Sequence, residues 1–158
     1  MDDSLAVRDA VRDDIPFLVA CNAAMAWETE SRRLDPVVLE AGVAALFEQP
    51  ARGFYLVATR VARPLGCLMV TREWSDWRNG DWWWLQSVHV LPEARRSGVY
   101  RALHAEVERR ARSAPGVVGL RLYVERDNVR AQATYRSLGM HEAVYRVYEQ
   151  GLASGADP

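Results

Sequence analysis

Two short stretches hold most of the side chains that could do chemistry. In the first, VHVLPEARRSGVYRAL, a strand pattern ends at Val90. A loop then carries Arg95, Arg96 and Gly98, and a helical pattern begins at once. A strand–loop–helix junction aims free backbone N–H groups and the positive end of a helix dipole at one point. That arrangement suits a phosphate or pyrophosphate. Gly98 lets a ligand approach the backbone closely, while Arg95, Arg96 and Arg101 can add charge-assisted hydrogen bonds. The same residues also suit an ordinary solvent-facing helix start. Thirty residues after Gly98, in LYVERDNVRAQATYRSLGM, Asn128, Ala131, Tyr135 and Leu138 share one helix face. Asn128 can equally be a plain N-cap, and Tyr135 a half-buried ring.

The elements that must position these residues follow from the apolar pattern. A strand starts near Leu5. Asp13 offers an N-cap with Pro16 in the first turn, and a helix runs through FLVACNAAMAW. A second helix opens at Asp35-Pro36 and closes before Pro50, with Val38, Leu39, Val43, Leu46 and Phe47 at helical spacing. Two hairpins come next, one around Arg-Pro-Leu-Gly (63–66) and one at Asn79-Gly80. The strand from Trp82 to Val90 is largely apolar and reads as central. A helix over Gly98 to Arg112, the strand GLRLYV, a helix over Asn128 to Leu138 and a last strand over Ala143 to Gln150 complete the chain. The order β-α-α-β-β-β-α-β-α-β predicts an α/β (α+β) domain with a mixed sheet flanked by helices. Residues 1–150 are expected to form a single domain and 151–158 a flexible tail.

Composition removes several classes of function. The chain has 158 residues, 49 % of them hydrophobic, and a net charge of -1. That balance argues against broad nucleic-acid binding, which leaves a basic footprint. No apolar run approaches the roughly 18 to 20 residues of a membrane span, so no membrane partner and a cytoplasmic location are expected. All 20 cationic residues are Arg, a pattern that fits codon usage and leaves no side-chain amine for self-acylation. Cys21, Cys67 and the three histidines are too scattered for a disulfide framework or a metal knuckle, so no metal is expected.

Taken together, the two stretches resemble the GCN5-related N-acetyltransferase (GNAT) superfamily. Its coenzyme A loop reads Arg/Gln-x-x-Gly-x-Gly/Ala after the fourth strand, and Arg95, Arg96, Ser97, Gly98, Val99 and Tyr100 stand there. About thirty residues later the family has Asn-x-x-Ala-x-x-x-Tyr-x-x-x-Gly-Phe/Met, matched by Asn128, Ala131, Tyr135, Gly139 and Met140. The resemblance implies a three-layer α/β/α fold with a sheet of about six to seven strands and four helices. It implies acetyl-CoA as co-substrate and transfer of its acetyl group to a primary amine in a ternary complex. Backbone at Val88, His89 and Val90 would bind the pantetheine arm, and Arg96 to Arg101, with Arg95, the pyrophosphate. Asn128 would contact the coenzyme, and Tyr135 would protonate the departing thiolate. A phenol with a pKa of about 10 keeps that proton at neutral pH. Tyr100 departs from the family's small residue, so its ring must turn away from the phosphates.

An amine with a pKa near 10.4 is only about one part in a thousand neutral at pH 7, so transfer needs a base. Family members often place a carboxylate on the fourth strand, where Trp84, Leu85, Gln86 and Ser87 stand here. Glu28 and Glu30 after the first helix, and Glu73 and Asp76 on the second hairpin, are the candidates; each can equally be a solvated surface carboxylate. Five of the six tryptophans fall between Trp74 and Trp84. Strand alternation puts Trp82 and Trp84 on one face and Trp83 on the other, one set serving as core and the other as an acceptor wall or a homodimer contact. With the acidic candidates, that wall suits a small, cationic, partly apolar amine. A peptide or protein amine, transfer of a longer acyl group, and a non-catalytic acyl-CoA sensor are the alternatives. A toxin acting on charged tRNA would need a strong basic face.

Overall fold

Five strands form one sheet in the order β1-β2-β3-β4-β5 in a computed structural model that describes residues 4–152. β1 (Leu5–Asp9), β2 (Gly53–Arg60), β3 (Arg63–Ser75) and β4 (Gly80–Val90) pair antiparallel, and β5 (Val117–Leu122) runs parallel to β4. Side chains alternate along β2, which is apolar on both sides and so is buried on both. Leu56 and Ala58 join Leu68, Val70, Trp83 and Leu85 beneath α3 (Val99–Ser113), whose Val99, Leu103 and Val107 close that core. Tyr55, Val57 and Cys67 join Leu18, Cys21, Val43 and Leu46 of α1 (Ile15–Glu30) and α2 (Pro36–Glu48) on the opposite face. The result is the expected α/β/α layering. The parallel β4–α3–β5 crossover holds the loop of interest at the end of β4.

The chain divides after Tyr123 into two compact units. The second carries α4 (Val129–Ser137), the fourth helix. The sheet has five strands rather than six to seven, because residues 143–150 form no strand. A strand needs a neighbour for its N–H and C=O groups, and no ladder among the described residues includes this segment. Val144, Tyr145 and Tyr148 are exposed there. Of the expected tail, residues beyond Leu152 lie outside the described residues.

Two turns differ from expectation. The β2–β3 reversal falls on Val61 and Ala62, both at positive φ, and Arg63 to Gly66 are already inside β3. Gly66 is small because a Cβ there would meet the His89 carbonyl oxygen at 2.8 Å and a Val99 methyl at 3.0 Å. It serves packing, not turning. The N-cap of α1 is Asp14 rather than Asp13. Its carboxylate is engaged by Arg8 at 2.7 and 2.9 Å and by the Val11 N–H at 2.8 Å. The Asp35 cap of α2 and the Asn79-Gly80 reversal stand as read.

Candidate active site

The ladder between β4 and β5 ends at Leu85↔Leu122, yet β4 continues to Val90. Between Gln86 and His89 it carries one residue more than β3 does opposite, with Ser87 at φ 49. Such a bulge bends a strand and re-aims its backbone. Beyond it, the Leu91 N–H donates to the Leu65 carbonyl at 2.9 Å. Backbone groups alternate sides along a strand, so those of Val88 and Val90 point away from β3, to the side that β5 has left. An extended, amide-bearing ligand can pair there as an added strand.

The loop after β4 makes one short 3-10 turn over Pro92–Ala94 and then reaches Arg96 at φ 62 and Gly98 at φ 84. The first helical bond of α3 runs from the Ala102 N–H to the Gly98 carbonyl at 2.9 Å. The N–H groups of Val99 and Arg101 therefore have no acceptor within the helix, and no side chain among the described residues caps it. A Cβ at Gly98 would meet nothing within 4 Å, so glycine is needed for its backbone angle and the approach stays open. The Ser97 hydroxyl donates to the Ala94 carbonyl at 2.6 Å, tying the loop to itself. Arg96 and Arg101 are exposed beside it. Tyr100 turns along α3: its hydroxyl lies 3.3 Å from Nδ1 of buried His104, with the rings 5.8 Å apart, edge to face. The ring at the family's small-residue position thus lies along α3, against His104.

Arg95 behaves differently from its neighbours. Its Nε donates to the Val90 carbonyl at 3.0 Å, and its Nη2 donates to Glu28 Oε2 at 2.7 Å. The pair ties the last turn of α1 to the loop. The His89 side chain is buried, which pushes its pKa below the ordinary value; Glu28 acts against that shift and Arg95 with it. Glu30 is exposed at the end of α1, next to Trp27, which is 53 % exposed under the Arg33 guanidinium.

The tryptophans separate as alternation requires. Trp83 is core, edge to face with Phe54 at 5.3 Å, and its indole N–H has no partner among the described residues. Trp84 lies on the other face, where its Nε1–H donates to Glu73 Oε2 at 3.0 Å and its ring meets Tyr123 at 4.4 Å. Arg121 donates to Glu73 Oε1 at 2.6 Å and lies 3.9 Å over the Trp82 ring. Both oxygens of Glu73 are therefore engaged. Asp76 accepts from the Trp77 N–H at 2.8 Å. In the second unit Asn128 caps α4, accepting from the Ala131 N–H at 3.1 Å, and Gly139 at φ 87 ends it. Tyr135 is half-buried, and burial pushes its phenol above the ordinary value.

Arg121, Tyr123 and the Arg95–Glu28 pair escape sequence reading. Nothing local marks partners 67 residues apart. The contact of Tyr100 with His104 was missed as well, though their i, i+4 spacing is a signal that could have found it. Among the described residues no group of three or more His, Cys, Asp or Glu side chains could hold a metal, and no helix is long and apolar enough to cross a membrane.

The model of the acetyltransferase (GNAT) family matches residues 19–140. A possible acetyltransferase from Clostridium difficile 630 is 40 % identical and superposes with a TM-score of 0.89, over 95 % of this chain and 99 % of that one. An acetyltransferase from Trypanosoma brucei superposes at 0.71 with 21 % identity, over 94 % of this chain and all of that one. An aminoglycoside N-acetyltransferase solved with coenzyme A does so at 0.77 with 15 % identity, over 95 and 96 %. These two likenesses are of fold alone. No curated protein matches the sequence.

Proposed function

The chain belongs to the GNAT acetyltransferase family, and on that premise we propose that it moves the acetyl group of acetyl-CoA to the primary amine of a small cationic acceptor, by direct attack in a ternary complex. One observation carries the reading: beyond Leu85, β4 has no partner on its β5 side among the described residues, and its loop leads into the N-terminus of α3. A thioester on an amide-bearing arm with a phosphate tail needs those two features in that order. Val88 and Val90 offer strand-type hydrogen bonds to the arm, beside His89 between them. Gly98 and the N–H groups of Val99, Tyr100 and Arg101 receive the pyrophosphate, with Arg95, Arg96 and Ser97 around it. Asn128 contributes from α4. The reading takes 1–150 as one catalytic domain, with Tyr135 in the role that the family motif implies. A cytoplasmic location fits an acetyl-CoA-dependent enzyme.

For the base we favour Glu28 over Glu73. Among the described residues Glu28 has a single ion-pair partner, Arg95, near the end of β4, whereas both oxygens of Glu73 are engaged in holding Trp84 and Arg121. Glu28 takes one proton from the acceptor ammonium, and the amine nitrogen attacks the acetyl carbon. The carbon–sulfur bond breaks as Tyr135 gives its proton to sulfur. The nitrogen's second proton restores Tyr135 through solvent, and the Glu28 proton is the one net proton released. Burial keeps the Tyr135 phenol protonated until sulfur accepts. Glu30, Trp84 and Tyr123 suit a cationic, partly apolar acceptor.

The test is acetyl-CoA-dependent thiol release over a panel of amines, with Tyr135→Phe beside the native enzyme. Turnover on a cationic amine, falling at least about tenfold in the variant with coenzyme affinity unchanged, supports the reading. Tight acetyl-CoA binding with no thiol release from any amine would instead make the protein a sensor.

A further inference from the structure

The Val90 carbonyl has two claimants. It lies on the open side of β4, where an amide of an extended arm would donate to it, and Arg95 Nε already donates to it at 3.0 Å. Arg95 is held in that position from outside the loop, by Glu28 Oε2 on its Nη2 at 2.7 Å. One guanidinium thus covers the arm's acceptor and neutralises the favoured base together. We propose that Arg95 is a placeholder coupling the two substrates: when the coenzyme arm takes the Val90 carbonyl, Arg95 turns to the phosphates and frees Glu28 to deprotonate the acceptor.

The coupling follows from the bonds that each position allows. If Arg95 gives up Val90, it loses one of its two holds on this side of the loop. Three residues further on, Gly98 and the N-terminus of α3 suit a group carrying more negative charge than one carboxylate. The Glu28–Arg95 pair is half exposed, with 40 and 42 % of the two side chains accessible, so water can replace its bonds at small cost. Glu28 has no second hydrogen-bond partner among the described residues. Its carboxylate is then left charged above the end of β4. The acceptor's proton would therefore find a free base only after the coenzyme is seated. Arg95 is a positioning residue in this scheme, and Glu28 the group that touches the acceptor.

The inference rests on the acetyltransferase reading, and Glu28→Gln separates the two. Removing the charge that holds Arg95 should strengthen acetyl-CoA binding by about threefold to tenfold in calorimetry while turnover falls at least about tenfold. A merely structural Glu28 would not tighten coenzyme binding when lost. Native enzyme that binds and turns over acetyl-CoA, with Glu28→Gln binding it equally or more weakly, overturns the placeholder and leaves the acetyltransferase reading standing. Tighter binding with unchanged turnover overturns the base role of Glu28. Native protein that fails to bind acetyl-CoA overturns both readings. Glu28→Ala should move affinity in the same direction, so the result does not hang on one side chain.

Discussion

The Tyr100 hydroxyl and Nδ1 of His104 lie 3.3 Å apart, one turn of α3 from each other, with their rings edge to face. This contact accounts for a bulky ring at the second residue of α3, where the family's loop motif has a small one. Tyr100 is directed along its own helix toward the core on the α3 face, not across the amides of Val99 to Arg101. The ring packs within the fold. Tyr100→Ala should therefore lower stability by about 1 to 2 kcal/mol, from lost ring packing and contact with His104. Acetyl-CoA affinity should stay within about threefold of native. Denaturant unfolding and calorimetry on the same variant test the two halves separately. A large loss of affinity with native stability would mean that the ring holds coenzyme.

Buried histidines on both sides of the sheet should weaken the fold as pH falls. His89 and His104 are held below the ordinary value near 6.5, in each case mainly by burial, with Glu28 and Glu108 respectively opposing it. A group whose folded pKa is depressed binds more protons unfolded than folded in the window between the two values. Its stabilising effect is complete above about pH 6.5 and is lost as pH falls through the folded value. Asp14 and Glu106 are depressed as well, by hydrogen bonds from Arg8 and from Arg109 and Arg110, Glu106 to about 2. Those carboxylates come into play only below the ordinary carboxylate range. The melting temperature should thus fall by a few degrees between pH 6.5 and 5, in a step distinct from acid unfolding. His104→Gln should shrink the step, and a native-sized step in that variant would assign it wholly elsewhere.

Gly98 allows a test of the loop without wrecking the fold. A Cβ there meets nothing within 4 Å, so a side chain costs only the left-handed backbone, about 1 kcal/mol. Gly98→Glu adds a carboxylate at the N-terminus of α3 and should abolish acetyl-CoA binding while leaving a cooperative melt. Gly98→Ala should retain binding within about tenfold. Retained affinity in the glutamate variant would put the phosphates elsewhere.

How much of this was legible depends on distance along the chain. The caps at Asp35 and Asn128, the Asn79-Gly80 reversal and the α3 core face are set by neighbours within a turn or two, and they could be read directly. Gly66 looked like a turn residue because its reason is a strand and a helix that pass more than twenty residues later in the chain. The segment at 143–150 has a strand's composition, but composition supplies no partner for its backbone. The loop motif marks where the phosphates are proposed to bind. It could not show that Arg95, one of its own residues, is occupied by a carboxylate from α1. Side-chain partners across a fold are fixed by packing, which spacing does not encode.

Glu73 separates an acceptor wall from a base. Its two oxygens accept from Trp84 Nε1 at 3.0 Å and from Arg121 at 2.6 Å, and Arg121 in turn lies over Trp82. The carboxylate fixes two aromatic rings and a cation on one face of β3, β4 and β5. Glu73→Gln retains the size but offers one acceptor oxygen where two donors converge, so one of the contacts must open. The Arg121 and Glu73 side chains are 26 and 46 % accessible, so the stability cost should be modest, about 1 kcal/mol. If the rings serve as the acceptor wall, the acceptor KM should rise about threefold to tenfold with kcat held within about twofold. Coenzyme affinity should not move. Trp84→Phe, which removes the Nε1–H and keeps an aromatic ring, should reproduce the KM effect in weaker form. A collapse of kcat in Glu73→Gln with KM unchanged would instead make Glu73 the base, because removing a group that acts only in the transition state lowers turnover without weakening acceptor binding.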